Sequence, residues 1–153
     1  MENKNSLEES KLFTPYKLGN VTLRNRVIRS AAFESMGKDF APTQKLKDYH
    51  VSVARGGGGM TTVAYASINR SGRSFNKQLW LRDEIVPALR DLTDAVHKEG
   101  AAGGVQLGHC GNMTHWSTAG SFPVSASNGF NLYSPTFHRR MTKDEIRQFA
   151  KDF

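Results

Sequence analysis

The sequence predicts an α/β protein with a parallel sheet, on three observations. Short runs of β-branched or small residues alternate with amphipathic helical stretches, the pattern of right-handed βαβ units. A Gly19-Asn20 pair between two short alternating runs signals a hairpin ahead of the first unit. Helix punctuation is sharp: Gly56 to Gly59 follow the first helical stretch, Gly100 follows the second, and Thr142 with Glu145 forms a capping box before the last.

The elements follow in order. Met1 to Ser10 is polar, rich in Asn, Ser and Glu, and is expected to be a disordered lead-in. Lys17 to Leu23 predicts two short strands around the Gly-Asn turn, and Arg26 to Ala32 predicts the first core strand. Pro42 and Thr43 open a helix in which Leu46, Tyr49 and Val53 share helical spacing. Met60 to Ala66 predicts a second strand, followed by a polar loop through Arg70, Ser71, Gly72 and Arg73. Ile85, Ala88, Leu89, Leu92 and Val96 then form an apolar stripe, with Arg90, Asp91, Asp94 and Lys98 facing away. Ala101 to Leu107 predicts a third strand of small residues, and Gly108 to Arg140 a long irregular segment. Within it Met113 to Tyr133, carrying Trp116, Phe122 and Phe130, is expected to loop over a site. Ile146, Phe149, Ala150 and Phe153 continue an apolar stripe to the last residue. Such a face needs a cover, so the chain is expected to stop inside an unfinished helix and to be part of a larger domain.

With 153 residues and 38% apolar content, the chain suits one domain or a piece of one. Lys and Arg number 21 against 14 Asp and Glu, a formal +7, which raises an anionic partner: a phosphate, a nucleotide or a nucleic acid. The basic residues are scattered and form no block, which argues against nucleic acid. Cys110 stands alone and cannot make an internal disulfide, and no apolar leader or spanning segment occurs. A cytoplasmic protein with no membrane partner is the expectation. His109, Cys110, His115 and His138 match no closed zinc spacing, so no metal is expected. The Gly56 to Gly59 run lacks the Lys-Ser/Thr of a phosphate-binding loop, and no complete G-x-G-x-x-G occurs.

Five blocks in order, Leu12-Phe13-Thr14-Pro15, Leu18-Gly19-Asn20, Leu23-Arg24-Asn25-Arg26, Thr93 to His97, and Gln106-Leu107-Gly108-His109-Cys110-Gly111, resemble the old yellow enzyme family of FMN-dependent NADH:flavin oxidoreductases. The resemblance implies the N-terminal part of a (β/α)8 TIM barrel, its hairpin plugging the bottom and its active site at the C-terminal ends of the strands. Residues 11–153 would then be an incomplete FMN-binding barrel domain, a hairpin plus about three βα units of the eight a barrel needs.

The resemblance also implies the chemistry, a hydride relay in which NADH or NADPH reduces FMN and the flavin reduces an activated alkene or another acceptor. It assigns flavin contacts to Ala31, Ala32 and Phe33 at the end of the first strand, to Ala64 or Tyr65 at the end of the second, and to Gln106. The side-chain amide of Gln106 would offer donor and acceptor to the pyrimidine edge. The common family version has Pro then Met, with Thr or Cys where Phe33 stands, so a position that tunes the flavin differs here. The family's substrate-anchoring, proton-donating and phosphate-gripping residues would lie beyond Phe153, so no catalytic residue is assigned. The partners expected are a small-molecule substrate and either further copies of the chain or the missing half of the barrel. A non-catalytic oligomerising barrel fragment, and a small basic module binding nucleotides or nucleic acid, are the alternatives.

Overall fold

The computed structural model describes residues 10–153. The lead-in expected over Met1 to Ser10 lies outside them except for Ser10, whose hydroxyl accepts from the Leu12 N–H to start a single 3-10 turn, Lys11–Phe13. The predicted hairpin follows as β1 (Tyr16–Leu18) and β2 (Val21–Leu23), antiparallel, with Leu18 opposite Val21. Gly19 sits at φ +57° in the turn, a conformation open to glycine.

The three predicted core strands and the two helices between them follow in order: β3 (Ile28–Arg29), α1 (Gln44–Arg55), β4 (Met60–Ser67), α2 (Val86–Lys98) and β6 (Ala102–Gly108), with a two-residue β5 (Leu79–Trp80) between β4 and α2. β4 pairs in parallel with β3 and with β6, and β5 joins it at Ala66 and Ser67. The first core strand is much shorter than the run from Arg26 to Ala32 suggests, because side chains take over its ladder after Arg29, as described below.

Both long helices pack on one face of this sheet, where Leu46, Ala54, Val63, Ala66, Leu79, Leu92, Val96 and Ala101 form the core. α1 starts on Thr43, whose side-chain oxygen accepts from the Leu46 N–H at 3.3 Å. Its buried face differs from the predicted one. Leu46, His50 and Ala54 are buried at i, i+4, i+8, while Tyr49 and Val53 lie partly exposed beside them. α2 buries Leu92 and Val96 and turns Arg90, Asp91, Asp94 and Lys98 outward as the stripe predicts. A Lys47–Asp91 ion pair at 2.8 Å ties the two helices on the outside.

The hairpin is joined to this body through Arg24. Its guanidinium donates to Glu99 O at 2.8 Å, to Gly58 O at 2.9 Å and to Ala54 O. Ala54 O and Glu99 O lie at the C-terminal ends of α1 and α2, the negative poles of both helices, and Gly58 O in the turn that follows α1. Gly59 lets the chain pass the hairpin closely: a Cβ there would stand 2.6 Å from Asn25 O.

The segment expected to be irregular contains structure of its own. A single helical turn, α3 (Trp116–Ala119), leads to β7 (Val124–Ser125), β8 (Gly129–Asn131) and β9 (Thr136–Arg140). β9 lies between a parallel β7 and an antiparallel β8, with Phe130 opposite Phe137 and their rings 5.0 Å apart. Strands of two to five residues leave no readable alternation, which is why the sequence hides them. α4 (Lys143–Asp152) then begins with the predicted capping box, and Arg139 and the Thr142 N–H hold the Glu145 carboxyl down at about 2. None of its residues is buried, and Ile146 and Phe153 remain over half exposed.

Removing the guanidinium anchor is expected to cost about 1–3 kcal/mol, the range for hydrogen bonds from a charged group. Urea denaturation of Arg24→Met should show a lower midpoint at unchanged slope, and an unmoved midpoint would mean the hairpin is held otherwise.

Candidate functional site

Because β3, β4 and β6 are parallel, their C-terminal ends form one rim. On that rim the β4–β6 register shifts: Val63 faces Val105 and Ala66 faces Leu107, so Ala64 and Tyr65 stand against Gln106 alone. Such a bulge re-aims a side chain. Gly104, Gln106 and Gly108 alternate on one face of β6. A Cβ on Gly104 would meet Met60 and one on Gly108 would meet the Tyr65 ring at 3.0 Å. Tyr65 and Gln106 therefore share the sheet face opposite α1 and α2.

Phe33 reaches the same surface. Its ring lies 6.2 Å from Tyr65, edge to face, and stacks on Phe75 at 4.8 Å. Phe33 and Gln106 are exposed, while burial pushes the Tyr65 phenol above its ordinary pKa, against the Ser74 hydroxyl that contacts it. Ala31 and Ala32 are too small to cover their own backbone, and among the described residues the N–H groups of Ala31, Ala32 and Phe33 donate to no protein acceptor. Ala64 is buried, and its N–H is taken by Glu34. The structure thus places all six predicted residues at or just past the C-terminal ends of β3, β4 and β6, with Phe33 and Tyr65 in contact and Ala64 buried. Free backbone donors, an exposed amide offering both donor and acceptor, and small side chains suit the edge of a flat polar heterocycle.

Behind this surface lies a buried polar network that the sequence reading did not find. The Glu34 carboxylate, 3% exposed, accepts from Arg29 Nη1 at 2.5 Å and from the Ala64 N–H at 3.1 Å. His50 Nε2 stands 3.3 Å from the same carboxylate, and His50 Nδ1 is 2.7 Å from Thr61 Oγ1. Burial raises the Glu34 pKa, but the contact with His50, the Ala64 N–H and the charge of Arg29 outweigh it and hold it below the usual carboxylate range. The order Thr61, His50, Glu34 copies a hydroxyl–imidazole–carboxylate triad. Thr61 is 1% exposed and His50 fully buried, so no substrate reaches the hydroxyl and the network is structural. The one signal for it in the sequence was a His at position i+4 from Leu46 on an otherwise apolar helix face.

The connections after β4 and β6 are sewn together beside the rim. Cys110 N–H and Thr114 Oγ1 donate to Gly72 O and Arg73 O at 3.1 and 2.7 Å. Burial pushes the Cys110 thiol pKa up, which removes it as a nucleophile. His109 Nδ1 accepts from the Gly111 N–H at 3.0 Å, and its Nε2 lies 3.1 Å from Ser71 Oγ, whose hydroxyl donates to Asn69 Oδ1. That pattern makes His109 a neutral Nε2–H imidazole. Phe149 of α4 packs on the ring at 4.4 Å, and Asn69 donates to Asp152 at 2.7 Å, so α4 is held by this loop. A separate apolar concavity of about 360 Å3 beside α3, lined by Trp116, Ser117, Gly120, Ser121 and Phe122, includes none of the six predicted residues. No helix of the described residues is long and apolar enough to cross a membrane.

A family model described as the NADH:flavin oxidoreductase / NADH oxidase family matches residues 11–153. The chain belongs to that family. Among curated relatives, a 4,4'-dithiodibutanoate disulfide reductase of Rhodococcus erythropolis is 45% identical over 100 residues, covering 65% of this chain and 25% of that protein. An NADPH dehydrogenase of Listeria monocytogenes serotype 4a (strain HCC23) is 41% identical over 148 residues, 94% of this chain and 43% of that protein. The chain therefore spans less than half the length of these relatives. The solved structure of morphinone reductase in complex with tetrahydroNAD superposes on 94% of this chain and 44% of its own, with a TM-score of 0.83 at 25% identity. β3, β4 and β6 are thus strands of the family's (β/α)8 barrel, and the rim they form is its C-terminal end.

The neutral state of His109 sets a pH response. Burial lowers its pKa below the ordinary 6.5, with Asp152 pulling weakly the other way. A depressed histidine binds its proton more readily unfolded, so its contribution is fully present above about pH 6.5 and is lost as pH falls below it. Urea midpoints at pH 7.5 and 5.5 should show the loss in the wild type and a smaller one in His109→Gln. Equal losses in both would exclude His109 as the source.

Proposed function

We propose that the protein is an FMN-dependent oxidoreductase of the old yellow enzyme type, and that Ala31, Ala32, Phe33, Ala64, Tyr65 and Gln106 form its flavin-contacting rim. Bound FMN would supply two-electron carriage, accepting hydride from NADH or NADPH and delivering it to an activated alkene or another oxidised acceptor. The observation that carries this reading is the convergence of Phe33, Tyr65 and the exposed Gln106 amide on the open face where three parallel barrel strands end, in a chain whose family match runs from residue 11 to residue 153. The redox activities named for the relatives, an NADPH dehydrogenase and a disulfide reductase, support the reaction class.

Each residue has work to do in this reading. The Gln106 amide would donate to and accept from the pyrimidine edge of a bound flavin. The free N–H groups of Ala31 to Phe33 would be available to donate to the ring edge of a bound flavin. Gly108 and the small Ala31 and Ala32 allow close approach, and Phe33, Phe75 and Tyr65 exclude water from one side. The substrate is a small molecule, the compartment the cytoplasm, and the rest of the active site comes from further barrel or from another copy.

The test is an FMN titration followed by flavin fluorescence. Gln106→Leu keeps the volume and removes both hydrogen bonds, so the affinity should fall about tenfold, the effect of roughly 1.4 kcal/mol. If wild type and variant bind FMN equally, Gln106 does not face the ring.

A further inference from the structure

β3 ends as a strand at Arg29, opposite Thr61, while β4 continues for six more residues. In a parallel ladder the next groups on β4 to be paired from the β3 side are the Thr62 carbonyl and the Ala64 N–H. Neither is taken by β3 backbone. Arg29 Nη1 donates to Thr62 O at 2.6 Å, and Glu34 Oε2 accepts from Ala64 N–H at 3.1 Å. The two substituting side chains are joined to each other at 2.5 Å, and Arg29 Nη2 reaches back to Ala32 O at 3.1 Å. The Arg29 cation also lies 5.1 Å from the centre of the Tyr49 ring on α1.

We propose that Arg29 and Glu34 are positioning residues which replace two backbone rungs with side chains, freeing the main chain of residues 30–33 from the sheet to face the cofactor. Had the strand continued, Ala31 N–H and O would be spent on β4, and nothing would remain to donate to a ring. The charge of Glu34 is met from every side packed on it: by Arg29 on β3, by His50 on α1 and by the Ala64 N–H on β4. This closure lets an ionised group stand where a backbone carbonyl would otherwise be. The inference rests on the flavin reading only for what the freed backbone is for. The side-chain rungs can be tested without any flavin.

The test begins with the flavin-free full chain. The Ala64 amide proton should titrate with a midpoint below 4.5, following Glu34, because that carboxylate is its acceptor. In Glu34→Gln this titration should vanish. In Arg29→Met and Glu34→Ala, hydrogen exchange should quicken at Ala64 and across residues 30–36, more than in Arg24→Met, which lowers stability from the opposite end of the barrel. An Ala64 amide insensitive to pH below 5, or exchange across 30–36 no faster than in the Arg24 variant, would overturn the proposal. FMN affinity is the second reading: a loss of about tenfold in Glu34→Ala but not in Arg24→Met supports the positioning role, and equal affinities overturn it. Should this chain bind no FMN without the rest of the barrel, the exchange and titration results alone decide the rungs.

Discussion

A carboxylate cannot be taken out of water without partners. Glu34, at 3% side-chain exposure, is such a carboxylate, and three elements supply its partners. Its requirement for donors fixes where three elements stand. Arg29 must lie at the end of β3, His50 must occupy the middle of the inward face of α1, and Ala64 must present its N–H at the bulge of β4. The loop from Ser30 to Thr43 adapts to this, passing through left-handed conformations at Ser35, Asp39 and Phe40. Each such non-glycine residue is unfavourable by itself and is held by its surroundings. Phe40 shows how: its carbonyl takes the Trp80 N–H and an Arg82 N–H, and its ring lies under the Arg73 guanidinium at 4.0 Å.

What could be read in the sequence is what is encoded over a few residues. The Gly19-Asn20 turn, the Thr142 capping box and the Leu92/Val96 stripe are local, and each appears where its signal lies. The inward face of α1 is hidden from the sequence because a buried histidine carries no apolar signature: Tyr49 and Val53 look more apolar than His50, and the imidazole takes the inward position because Glu34 and Thr61 stand there to meet its two ring nitrogens. β3 was overextended for the same reason, since nothing in Arg26 to Ala32 announces that Arg29 and Glu34 will replace its ladder. The small sheet of β7, β8 and β9 escaped because its strands are too short for any periodicity.

The candidate site was legible through its sequence blocks rather than through physics. Gln106 alone is an ordinary polar residue, and Ala31 and Ala32 alone are core-like. Order along the chain marked them out, and the parallel sheet explains how residues 33, 65 and 106 meet. The uncertainty between Ala64 and Tyr65 has a structural cause, because the register shift that presents two residues of β4 to one of β6 falls on that pair.

The pairing of Gly108 with the Tyr65 ring carries a consequence for how this surface can change. A single methyl at 108 would meet the ring at 3.0 Å, tighter than ordinary contact, with the close approach on a ring wedged between Phe33 and Ser74. Positions 65 and 108 are thus not free to drift separately. A Cβ at 108 would have to push the Tyr65 ring aside by a few tenths of an ångström, so the width of the open face at 65 is set in part by the absence of a side chain at 108.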